Sequence, residues 1–98
     1  MKQPDQCSNM TEIRTEIDAL DRQIIALLGQ RFHYVKAAAK FKTSAKNVKA
    51  PERFQAMLKQ RHQWAEEEGL NGEVIAHLYE ELVNHFIAEE MKHWQGQR

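Results

Sequence analysis

Apolar residues recur along the first half of the chain at Ile13, Ile17, Leu20, Ile24, Leu27, Tyr34, Ala38 and Phe41. Steps of three and four add up to a seven-residue repeat, which marks one apolar stripe on a helix and not the alternation of a strand. Asn9 followed three residues later by Glu12 is a capping-box signal, so this helix is expected to start near Met10. Gly29 interrupts it at a cost of about 1 kcal/mol relative to alanine. Nothing else stops it before the polar run "KTSAKNVKAP". Pro51 suits the first turn of a second helix whose inner row is Phe54, Met57, Leu58, Arg61 and either Trp64 or Ala65. Gly69 ends that helix, and Asn71 caps a third that reaches the neighbourhood of Gln95. Residues 1–8 read as a polar tail and residues 43–50 as a mobile loop. The pattern predicts an all-α chain of three helices, long, medium and long, forming a single domain over residues 1–98 without internal repeats.

The length of the first helix has a consequence for assembly. Residues 11–42 would span about 48 Å at the helical rise, whereas a compact chain of this size has a radius of gyration of only about 13 Å. Its apolar seam would be half bare. A second copy laying its own long helix alongside repairs this, and the pattern therefore predicts an intertwined, two-fold symmetric homodimer.

Composition narrows the class. A hydrophobic fraction of 42% with 29% charged residues describes an ordinary globular protein and not a disordered one. The formal net charge is zero, which argues against a dedicated nucleic-acid binder. Cys7 is the only cysteine, so no internal disulfide can form and a reducing compartment fits. No apolar run approaches the length of a membrane span, and "MKQPDQCSNM" lacks the apolar core of a signal peptide. The expected location is the cytoplasm.

Cations break the seam. Positions 17, 24, 31 and 38 share one heptad position and read Ile, Ile, Arg, Ala, which puts Arg31 on the seam itself. Arg14 and Lys42 share the flanking position. Arg31 could serve as a register device, and Arg14 and Lys42 could be flanking residues with solvated heads. A guanidinium on a buried face nevertheless calls for an anion, since it keeps its charge. Residues 32–51 hold five lysines and no acid, so the missing partner points to an anionic ligand. Arg31 and Lys42 lie on the same side of the helix about 16 Å apart, close enough for two long side chains to grip a small dianion. Arg14 is about 25 Å from Arg31 and could reach that site only from the other chain of an antiparallel dimer. Arg53 opens the second helix beside the basic loop.

On the third helix, Glu90 interrupts the apolar row Val83, Ile87, Met91 and Trp94. It is either the partner of a buried arginine or a hydrogen-bonding group for a ligand oxygen. His85, Glu89 and His93 recur every fourth residue, a spacing that can bind a metal, although a solvated face is the favoured reading at an exposed helix end. The lysines from Lys36 to Lys49 lack the aromatic interleaving of a nucleic-acid surface. The expectation is no metal, no cofactor, no nucleic acid and no membrane.

The passages "EIRTEIDALDRQIIALLGQR", "YVKAAAKFK", "APERFQAMLKQRHQWAEEEGL" and "IAEEMKHW" together resemble the all-helical chorismate mutases, and within that family the isochorismate pyruvate lyases of salicylate and siderophore biosynthesis. The likeness spans most of residues 12–94. It implies an intertwined homodimer with two equivalent sites and a cofactor-free pericyclic elimination of isochorismate to salicylate and pyruvate. A weak chorismate mutase activity, chorismate to prephenate, is implied beside it. Carried onto this chain, the resemblance implies that Arg31 holds the enolpyruvyl carboxylate and that Arg14 arrives from the other subunit to hold a carboxylate. Lys42 would stand at the departing ether oxygen, with Arg53 a further cation. Mutases commonly carry glutamate directly after that last arginine; here the residue is Phe54, which favours the lyase. Glu90 stands where close lyase relatives carry glutamine. Unlike an amide it donates a hydrogen bond only when protonated, apolar neighbours pushing its pKa up and nearby cations pulling it down. The alternatives are a chorismate mutase as the main activity, or a helical dimerisation module without catalysis.

Overall fold

The computed structural model describes residues 2–41 and 50–96. Among these residues three α-helices follow one another: α1 over Met10–Ala38, α2 over Pro51–Glu67 and α3 over Gly72–Gly96. Short 3-10 turns sit at Pro4–Gln6 and at Ala39–Phe41. Two compact units divide the chain, Met1–Tyr34 and Val35–Arg98, and α1 runs on from the first into the second.

In the first unit, α1 begins where its cap predicts. The Asn9 side chain accepts a hydrogen bond from the Glu12 amide at 2.9 Å, and Ile13 N–H reaches the Asn9 carbonyl at 3.2 Å. The return half of the box is shifted by one residue. Glu12 Oε1 takes the amide of Ser8 at 2.7 Å in place of that of Asn9. The cause is the segment before it: the polar residues 2–8 turn through Pro4–Gln6 and come back along the helix. Helix α1 buries none of its residues fully, and its seam stands open, with Ile24 53% and Leu27 60% exposed. Gly29 does not break it, because a single glycine costs less than the hydrogen bonds on either side return.

The second unit is built on an antiparallel pair. Pro51 occupies the first turn of α2, behind Ala50, which takes a left-handed conformation at φ 38°. At the other end, Gly69 adopts φ 78°, the Leu70 amide reaches the Ala65 carbonyl at 2.8 Å, and the Gly69 amide reaches that of Glu66 at 3.1 Å. These two bonds make a Schellman motif, in which only glycine accepts the reversed backbone without a steric penalty. Asn71 then caps α3, its side chain accepting from the Val74 amide at 3.1 Å. The Glu66 carboxylate adds a bond to the Gly72 amide at 3.2 Å. Helices α2 and α3 pack against each other, with Met57 and Ala65 in the core. Ala65 takes the inward place on α2; Trp64, the other candidate, stays half exposed under the guanidinium of Arg61, 4.7 Å from its ring centre. The turn at Ala39–Phe41 also contacts α3 and buries Ala39. No helix among the described residues is long and apolar enough to cross a membrane.

Candidate functional site

Helix α1 carries two of the predicted cations. Arg14 stands exposed in its second turn, and Arg31 is half-buried further along, with Nη1 shut off from solvent. Seventeen residues of helix put about 25 Å between their backbones. They therefore cannot hold one small ligand from the same chain. Lys42 lies outside the described residues, as does most of the predicted loop. Arg53 is the third residue of α2 and is exposed.

Glu90 is the buried charged residue among those described, 5% exposed, with Oε1 sealed from water. It and Arg31 both take part in noncovalent interactions. A carboxylate at that depth has to be neutral or matched to a cation or donor, because desolvating an unmatched charge costs several kcal/mol. Burial of this kind is the common mark of a group that meets a ligand or an internal partner.

Between the start of α2 and the middle of α3 lies an open groove of about 310 Å³, lined by Pro51, Phe54, Gln55, Asn84 and Ile87. Its lining combines the apolar Pro51, Phe54 and Ile87 with the two neutral amides of Gln55 and Asn84. Phe54 follows Arg53 directly, and Ile87 precedes Glu90 by about one helical turn, but neither Arg53 nor Glu90 lines the groove. Gln55 and Asn84 were not singled out. Both sit beside residues of the predicted inner rows, and an amide next to a core position was the available signal.

Of the His85, Glu89, His93 series, the first two side chains are described. The His85 ring leans on Phe86 at 5.6 Å between centres, and Glu89 pairs with Lys92 at 3.9 Å. The side chain of His93, like that of Trp94, lies outside the described residues. No group of three His, Cys, Asp or Glu side chains among the described residues is arranged to hold a metal ion.

With the helices and these positions in place, residues 13–91 match the chorismate mutase type II family. The chain belongs to that family. Its all-α, three-helix architecture is the one that the pattern of apolar residues predicts. A protein named isochorismate pyruvate lyase, from Pseudomonas aeruginosa, is 43% identical over 98 residues, covering 100% of this chain and 97% of the relative. A protein named T-protein, from Haemophilus influenzae, is 35% identical over 81 residues, 82% of this chain but only 20% of that larger protein. The chorismate mutase type II match ends at Met91 and so takes in Arg14, Arg31, Lys42, Arg53 and Glu90.

Proposed function

We propose that this protein is an isochorismate pyruvate lyase, active as a homodimer in which the residues of one domain over 1–98 form two equivalent sites. The observation that carries the reading is the end-to-end likeness to a lyase of that name, 43% identical over the whole chain. Phe54 in the lining of the groove supports it, since an apolar residue there offers nothing to a ring hydroxyl that a mutase would hold.

In the proposed reaction the hydrogen of a ring carbon passes to the enolpyruvyl methylene while the carbon–oxygen bond breaks, leaving salicylate and pyruvate. The bonds reorganise within one molecule, so the enzyme's task is to fold the substrate and to place charge where the ether oxygen becomes negative. Arg31, Arg53 and the partner's Arg14 would orient the two carboxylates. Lys42 and Glu90 would meet the ether oxygen, Glu90 as donor in its protonated form. The half-bare seam of α1 supports the dimer: Ile17, Leu20, Ile24 and Leu27 are each near half exposed or more, and a second copy is the apolar cover that best matches a seven-residue repeat. A cytoplasmic location fits a chain with a lone cysteine.

Incubating purified protein with isochorismate and following salicylate fluorescence tests the reading, with chorismate and prephenate detection as the parallel arm. Salicylate formation is expected, with Arg31→Ala lowering kcat/KM by about 100-fold or more, the loss typical of a charged ligand contact. Prephenate as the main product would make it a mutase. No turnover of either substrate, or full salicylate formation by a dimeric Arg31→Ala, would sink the proposed site.

A further inference from the structure

Residues 2–8 are tied to the start of α1 by one carboxylate. Glu12 Oε1 accepts from the Ser8 amide at 2.7 Å and from the Ser8 hydroxyl at 3.0 Å, while Oε2 faces the ammonium of Lys2. The loop that brings Lys2 there is itself closed: the Gln3 amide donates to Gln6 Oε1 at 3.0 Å, and the Gln6 amide to the Gln3 carbonyl at 2.9 Å. Pro4 and Cys7 share a small groove with Ile13, Ile17 and Leu20, so the folded-back segment also covers part of the seam. Lys2 first, then the Ser8 amide and hydroxyl, hold the Glu12 carboxyl below its ordinary value of 4.5, and it is therefore ionised at neutral pH.

The folded-back segment faces part of the seam and ties down an exposed helix end. What it controls is order. The first turn of a helix frays unless its end is held, and Glu12, inside that turn, ties it to the segment before the Asn9 cap. Arg14 stands two residues beyond Glu12, in the turn that inherits any fraying. Residues two apart on a helix point in widely different directions, so Glu12 bears on Arg14 through the backbone.

We propose that the contacts joining Lys2, Ser8 and Glu12 form a clamp that positions Arg14, with Glu12 as its central positioning residue. This rests on the reading of Arg14 as a carboxylate-holding cation delivered to the partner's site. By keeping the first two turns of α1 formed, the clamp confines a long side chain before substrate arrives. A substrate then meets an arginine already in place, and its apparent affinity is not divided by the fraction of competent ends. Arg14 would grip a carboxylate that persists through the reaction, so the effect belongs to KM more than to kcat.

The test is steady-state kinetics with isochorismate on Glu12→Ala, Glu12→Gln, Lys2→Ala, Lys2→Arg, Arg14→Ala and the Glu12→Ala/Arg14→Ala pair, with oligomer mass measured on each. Loss of a helix cap typically shifts an equilibrium about fivefold, so Glu12→Ala is expected to raise KM about fivefold with kcat within about twofold. Glu12→Gln, which can still accept from Ser8, should recover part of that. Lys2→Ala should cost about twofold, as an exposed ion pair does, and Lys2→Arg nothing. The double variant should be no worse than Arg14→Ala alone. An unchanged KM in Glu12→Ala, or a full extra fivefold on top of Arg14→Ala, would reduce the clamp to a local stabiliser and overturn the proposal. Should Arg14→Ala itself leave KM unchanged, the assignment of Arg14 to the site fails first, and that result is distinct from the other two.

Discussion

Glu90 and Arg31 show how differently two charged residues on apolar stripes are treated. Glu90 is almost wholly enclosed at 5% exposure, while Arg31 keeps part of its side chain in solvent and hides Nη1. Burial disfavours a carboxylate's charge unless a cation or donor faces it. If Glu90 donates to the ether oxygen, it works only when protonated, and activity must fall as pH rises through its titration. Glu90→Gln donates at every pH and is expected to flatten that alkaline fall. A pH profile of kcat/KM that keeps its shape in Glu90→Gln would remove Glu90 from the chemistry. Both residues were marked by the sequence as charges interrupting a stripe, because periodicity along one helix is enough to reveal an interruption. Which of them would be buried was not legible, since burial depends on what another segment places over the side chain.

Helix ends were the most legible part of the elements. Asn9, Pro51, Gly69 and Asn71 act where their chemistry predicts, because capping and left-handed turns depend on a few neighbouring residues. One constraint at an end came only from packing. A methyl group on Gly72 would stand 2.5 Å from the His62 ring, so a side chain at this position requires that ring to move. Gly72→Ala should therefore destabilise the protein by about 1–3 kcal/mol, the usual cost of overpacking, read as a lower denaturant midpoint at unchanged slope. Adding His62→Ala should return much of the loss. A Gly72→Ala protein as stable as the parent would mean that the ring swings aside freely. Nothing in the sequence marks Gly72 beyond its place after the Asn71 cap, since a close approach between two helices has no signature in either one.

The whole molecule turns on its long first helix. Ile24 and Leu27 are more than half exposed and Tyr34 is 80% exposed, an apolar edge interrupted at Arg31 and of the kind that associates in water. The proposed dimer makes a direct prediction: light scattering should give twice the chain mass, and Ile24→Glu should raise the dissociation constant on the order of 100-fold or more by enclosing an unmatched charge. Activity should fall with the dimer, because Arg14 would no longer reach a partner. A monomeric parent protein with full activity would refute the arrangement.

Three helices, their order and their caps were determined by the sequence alone, because a seven-residue apolar repeat and a capping side chain act within a few residues of themselves. The same is true of the cations placed along α1. Only the tertiary structure decided that residues 2–8 fold back onto Glu12, that Ala65 and not Trp64 turns inward, that Glu90 is enclosed, and that Gln55 and Asn84 stand at a groove with Phe54. Each of these depends on a contact between residues whose meeting requires the chain to reverse or two helices to pack, and no local pattern encodes which face will find a partner.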